Sequence, residues 1–136
     1  LKTTTDQSSL LYSVLEGISF GILDGVNSIK SVNRNFDDIF MVGGGSKSHF
    51  WLKLLASILN RKLSLCEQSE FGAALGVARL AMFVDKDIID KKNIIKKINV
   101  SKSFQAQDDK IDILRKRYLV WREIYSANKN NTNIFL

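Results

Sequence analysis

From residue 8 to residue 31 apolar side chains return every three or four positions: Leu11, Leu15, Ile18, Ile22, Val26 and Ile29. That period places them on one stripe of a helix. Ser13, Gly17, Gly21 and Gly25 recur every four residues on a neighbouring face. Each interior glycine costs about 1 kcal/mol relative to alanine, so the row predicts close packing against another backbone. The helix is expected to be buried on more than one side.

The pattern then shortens. Asp38-Ile39-Phe40-Met41-Val42 is an apolar run that ends on three glycines, and its length and flanks predict a buried parallel strand. Ser48 suits the N-cap of a helix running to about Asn60, with Trp51, Leu54, Leu55 and Ile58 facing inward. Leu63-Ser64-Leu65-Cys66 predicts a second short strand. Residues 70–84 predict a helix rich in small side chains, expected to pack very closely on its neighbour. Residues 85–97 predict a short charged surface helix, and residues 99–108 are polar and predict a loop. A last helix is expected over 109–129, with Ile111, Leu114, Tyr118, Trp121 and Tyr125 at helical spacing and a frayed tail after it.

Two strands joined through a helix imply a right-handed parallel crossover, and so an α/β fold with helices packed on a short parallel sheet. Two strands offer little apolar face, so further strands or a partner are expected to complete the sheet. The first helix pattern starts almost at once, and residue 1 is Leu rather than Met. This reads as a cut inside a longer domain, with residues 1–136 forming its C-terminal portion.

Composition narrows the classes. With 45% apolar and 25% charged residues the chain can bury a core. No apolar run of the roughly 18–20 residues that span a bilayer stands out, and no secretory signal pattern is present. The one cysteine, Cys66, cannot form an internal disulfide, which fits a cytoplasmic setting. The formal charge of +6 falls in two local clusters. One is Lys86, Lys91, Lys92, Lys96 and Lys97; the other is Arg115, Lys116, Arg117 and Arg122. The two do not make one stripe, and no aromatic residues for base stacking are interleaved with the first, so solvated helix faces are expected and no nucleic-acid partner.

The chemical signal lies at Val42-Gly43-Gly44-Gly45-Ser46-Lys47-Ser48, between a strand and a helix. Glycines let backbone turn sharply and approach a ligand closely, and amides at a helix start favour polar or anionic groups. The plain alternative is a tight turn with no ligand. A phosphate-binding P-loop needs glycines one and six residues before its lysine; relative to Lys47 those positions hold Ser46 and Met41. The dinucleotide fingerprint fares better, since Gly43 and Gly45 match and Glu67 follows the second strand, but its third glycine is Ser48. His49 has no partner at metal-ligand spacing, Cys66 reads as a buried thiol, and Asp37-Asp38 reads as the end of a turn.

Four stretches carry a family resemblance. Tyr12-Ser13-Val14-Leu15-Glu16-Gly17-Ile18-Ser19-Phe20-Gly21 is similar to the A-V-L-E-G-I-A-F-G stretch of the FGGY carbohydrate kinases. Residues 41–51 resemble that family's adenosine motif, in the G-G-G-[AS]-x-S form with a following tryptophan that is closest to its xylulokinases. Residues 72–81 resemble the A-L-G-A-A-R-L-A helix, and residues 117–125 the closing Y-x-x-x-R-x-x-Y helix.

The resemblance implies a partial ribonuclease-H-like, actin-like ATPase domain. It implies ATP as cofactor, with magnesium arriving through the nucleotide. Gly43, Gly44 and Gly45 would line adenosine through their backbones, Ser48 would face the adenine, and Ser46 and Lys47 would border the site. The parent reaction would transfer the γ-phosphoryl group to a sugar, xylulose on motif form. The carboxylate base and the sugar ligands would lie outside this stretch, so the chain alone is expected to be inactive. Where the family helix reads A-D-I this chain has Ala56-Ser57-Ile58. Two other readings stay open: a Rossmann-like oxidoreductase module, and a non-catalytic assembly domain that self-associates through an exposed sheet edge.

Overall fold

The structure is a computed structural model, and it describes residues 5–31, 38–67, 72–84 and 99–129. Four helices and a small mixed sheet are built from them. Helix α1 spans Gln7–Ser31, strand β1 Ile39–Met41, helix α2 His49–Leu59, strand β2 Leu63–Cys66 and helix α3 Gly72–Val84. Strand β3 spans Val100–Phe104 and helix α4 Asp108–Lys129. A single 3-10 turn, Gly44–Lys47, joins β1 to α2.

The sheet order is β1-β2-β3. β1 and β2 run parallel, with Ile39 opposite Leu63 and Met41 opposite Leu65, as the strand–helix–strand order requires. β3 is antiparallel to β2, pairing Phe104 with Leu63 and Ser103 with Ser64. This corrects two expectations: the polar stretch 99–108 is not all loop, and the sheet is mixed. The reason is that β3 buries only Phe104, leaving Val100, Ser101, Lys102 and Ser103 exposed. Backbone pairing to β2, rather than an apolar face, holds it in place.

α2 is the centre of the fold. Leu52, Leu54, Leu55, Ala56, Ser57, Ile58 and Leu59 are all buried, because the helix is covered on two sides. Leu52, Leu55, Ala56 and Leu59 pack with Leu63 and Phe104 of the sheet and with Ile22 and Val26 of α1. Leu54 and Ile58 pack with Phe20 of α1 and with Leu114 and Tyr118 of α4. The helix starts as expected, with the Ser48 hydroxyl accepting the Trp51 amide at 3.3 Å. It ends on Asn60 in the left-handed conformation, φ 49°.

Helices α1 and α3 depart from expectation in which face is covered. Glu16, Ser19 and Phe20 of α1 are buried, whereas Leu11, Ile18 and Ile29 are exposed. The glycine row does not meet another backbone among the described residues. A Cβ on Gly17 would rest in ordinary contact with the Trp121 indole, and Gly21 and Gly25 face open space. Of the two glycines on α3, Gly72 sits close against the Val42 side chain and Gly76 is open; Val77, Leu80 and Met82 are exposed. The outward face of each helix thus has no partner among the described residues.

By length and hydropathy Gln7–Ile29 could cross a membrane, which corrects the expectation that no such run exists. In this fold the same helix binds α4 through charged groups. Glu16 Oε2 pairs with Arg117 at 2.8 Å, and Asp24 Oδ1 pairs with Arg122 at 3.4 Å and accepts the Tyr118 hydroxyl at 2.8 Å. Two members of the second basic cluster are therefore ion-paired onto α1. The first basic cluster, the expected helix 85–97, the tail after Lys129 and Asp37 lie outside the described residues.

Candidate nucleotide-binding turn

β1 points its carboxyl end at the glycine turn, where ligands of parallel α/β sheets sit. Gly43 takes φ 85° and ψ −178°, a backbone conformation that side-chain-bearing residues rarely adopt. The 3-10 turn that follows is closed by Ser46 N–H donating to the Gly43 carbonyl at 3.1 Å and Ser48 N–H to the Gly45 carbonyl at 3.1 Å. Ser46 is buried, and its hydroxyl donates to the same Gly43 carbonyl at 2.7 Å. The serine side chain holds the turn from inside.

The three glycines have different surroundings. At Gly43 and Gly44 a Cβ would meet nothing within 4 Å; at Gly45 it would overlap the six-membered ring of Trp51. One side of the turn is thus open backbone, and the other is closed by an aromatic ring. Lys47 and Ser48 are exposed at the end of the turn. Ser48 accepts from the Trp51 amide, which leaves its hydroxyl proton to donate outward. Gly44, Gly45, Lys47 and Ser48 are exposed and Gly43 is half-buried, whereas Ser46 is buried beneath the turn.

This geometry suits the flat, polar face of a nucleoside laid against bare backbone. Among the described residues no cluster of three His, Cys, Asp or Glu side chains occurs. His49 is exposed beside the turn, its ring 5.3 Å from that of Phe104. Cys66 is half-buried, and burial pushes its thiol pKa up, opposite to what an activated nucleophile needs. Glu67 N–H donates to the Asn99 carbonyl, and its carboxylate accepts from the Asn99 amide at 3.2 Å. Glu67 serves the entry to β3.

Comparison with known proteins decides the family. The FGGY family of carbohydrate kinases, C-terminal domain, matches residues 1–84. The chain belongs to that family.

Among curated relatives, the xylulose kinase of Staphylococcus epidermidis is 28% identical over 121 residues, covering 88% of this chain and 24% of the relative. That of Escherichia coli is 30% identical over 86 residues, covering 61% of this chain and 18% of the relative. A solved structure described as a xyloylose kinase from Brucella ovis superposes with a TM-score of 0.81 at 30% identity, covering 96% of this chain and 27% of that one. Glycerol kinase of Plasmodium falciparum with ADP shares the fold, with a TM-score of 0.62 at 22% identity over 93% of this chain and 25% of that one. The fold is thus that of the FGGY sugar kinases, the actin-like ATPase fold. The matches span between 18% and 27% of the length of these relatives. Membership of this family sets aside the dinucleotide-binding alternative.

The polar links that orient the turn escape sequence reasoning. Trp51 Nε1–H donates to Ser19 Oγ at 2.9 Å across 32 residues of chain. The only signal of this was a tryptophan one helical turn after the cap Ser48.

Proposed function

We propose that the Gly43–Ser48 turn receives the adenosine part of ATP in an ATP-dependent sugar kinase whose acceptor is xylulose. The observation that carries the reading is the asymmetry of the turn. Gly43 and Gly44 have open space where a side chain would stand at the end of β1, while at Gly45 that direction is filled by the Trp51 ring. Bound MgATP supplies the transferable γ-phosphoryl group. The part played by this chain is to bind and orient: bare amide planes at Gly43 and Gly44 admit a flat ring, and the Ser48 hydroxyl donates to a ring nitrogen. Lys47 borders the same surface. Xylulose as acceptor rests on the names of the relatives and on the form of the motif. The catalytic carboxylate and the sugar ligands belong to other parts of the parent protein, which works in the cytoplasm.

Titration of MgATP, MgADP and NAD tests the binding half of this reading. Adenine nucleotides should bind weakly and NAD no better. Gly44→Leu fills the open face, and should abolish nucleotide binding while leaving the urea midpoint nearly unchanged. Equal binding by this variant would exclude the turn as the site. An assay with MgATP and xylulose tests the other half: turnover by this chain alone, well above background, would show that the catalytic base lies within it.

The outer edge of β1 pairs with no strand among the described residues, which supports self-association through that edge. A molar mass by light scattering that stays monomeric up to millimolar concentration would rule this out.

A further inference from the structure

We propose that Ser19 and Trp51 are positioning residues for the glycine turn. They form a relay from α1 through the indole of α2 that fixes Gly45, and with it the open face of Gly43 and Gly44. The proposal deepens the nucleotide reading above and rests on it.

Ser19 is the anchor. It is fully buried, and its hydroxyl donates to the Leu15 carbonyl at 2.7 Å. A hydroxyl has one donor and two acceptor lone pairs, so the bond back to its own helix leaves the oxygen able to accept. Here the oxygen also accepts the Trp51 indole N–H at 2.9 Å, so a side chain fixed to α1 holds a ring that belongs to α2. The half-buried indole lies with its six-membered ring directly on Gly45, where any Cβ would overlap it. The ring cannot swing away without breaking the bond to Ser19.

The turn therefore has two braces. Ser46 holds Gly43 from within, through 2.7 Å and 3.1 Å bonds to its carbonyl. Trp51 blocks movement of Gly45 from outside. Between them lies Gly44, with open space on its free side. A ligand that lies on this backbone meets a surface ordered beforehand, so less ordering entropy is lost on binding. A simple filler role for Trp51 would make its volume matter and its N–H irrelevant. The relay makes the N–H and the Ser19 hydroxyl matter, beyond volume.

The test measures MgADP affinity and urea unfolding together for the wild-type chain, Ser19→Ala, Trp51→Phe and the double variant. Each single change should weaken MgADP binding by about tenfold, the scale of one neutral buried hydrogen bond. The double variant should bind no more weakly than the worse single one, since both changes remove the same bond. Amide shifts of Gly44 and Gly45 should move in Ser19→Ala although the protein is fully folded. Leu114→Ala, which empties core at the α2–α4 contact, should lower stability and leave MgADP affinity unchanged. Wild-type affinity in Ser19→Ala would overturn the positioning role alone. So would an equal affinity loss in Leu114→Ala, because stability would then explain both. No MgADP binding by the wild-type chain would sink the nucleotide reading, and this role with it.

Discussion

Arg117→Leu should destabilise the chain at neutral pH and not at acid pH, because of what it leaves behind. Glu16 is 5% exposed, and Arg117 Nη2 lies 2.8 Å from its Oε2. Its other oxygen, Oε1, is buried and has no hydrogen-bond partner. Burial raises the carboxyl pKa, and the nearby guanidinium only partly offsets this. Breaking a fully buried ion pair costs about 3–5 kcal/mol, and an exposed one about 0–1 kcal/mol. The Arg117 side chain is 49% exposed, so we expect an intermediate loss of about 2 kcal/mol at pH 7.5.

The sign follows from linkage. A carboxyl whose folded pKa is raised stabilises the fold fully below its unfolded value, about 4.3, and loses that contribution as pH rises through the folded value. Without Arg117 the folded value rises further, so the loss spans a wider window. At pH 4 Glu16 is largely protonated in both proteins, and their urea midpoints should converge. Glu16→Gln in the Arg117→Leu background should restore most of the loss at pH 7.5, since a neutral amide costs less to bury than an unpaired charge. A deficit of the same size at pH 4 and pH 7.5, or no recovery with glutamine, would refute the reasoning.

Three further expectations concern single positions. Gly43→Ala should cost about 1–2 kcal/mol because φ is 85° there, and Gly43→Asn should cost less; urea midpoints check both. Ser57→Ala removes a buried hydroxyl that accepts the Gln107 amide at 3.0 Å. The stranded N–H should cost about 1–3 kcal/mol, seen as a lower midpoint with an unchanged slope. Phe104→Ala should cost about 3–5 kcal/mol, since Phe104 is the buried side chain of β3 and packs into the cluster around Leu52 and Leu63. An effect below 1 kcal/mol would mean that β3 is not docked.

The four described helices and the first two strands were legible because each depends on a local pattern: a period near 3.6, a short apolar run, a capping serine. β3 was not, because an edge strand with one buried side chain leaves almost no hydrophobic trace. Periodicity found the apolar stripe of α1 but could not say which face this part of the fold covers. Leu11 and Ile18 stand exposed while Ser19 and Glu16 are buried. Those two polar residues lie inside because each has a partner far along the chain, Trp51 and Arg117. No window of local sequence contains such a pair. The same holds at the turn: three glycines look equivalent in the sequence, and only the ring on Gly45 separates its role from that of Gly43 and Gly44. At Ser57, where the family helix carries an aspartate, the serine hydroxyl still provides a buried acceptor for the start of α4.

The way α4 is fastened has a consequence for the order in which the chain assembles. α1, β1, α2 and β2 contact one another over shorter stretches of chain, but α4 reaches α1 across 91 to 101 residues. It buries Leu114 and Tyr118, packs a half-buried Trp121 against Phe20, and adds ion pairs from Arg117 and Arg122, with Gln107 bonded to Ser57 just before its start. Closing so long a loop for fewer buried side chains than α2 contributes favours late arrival in folding and early departure in unfolding. Native-state hydrogen exchange should therefore find α4 amides opening at a lower free energy than those of α2; matched values would mean that the whole chain lets go at once. A protease that cuts only opened chain would then trim the C-terminal helix first, leaving the α1–β1–α2–β2 body and its glycine turn intact.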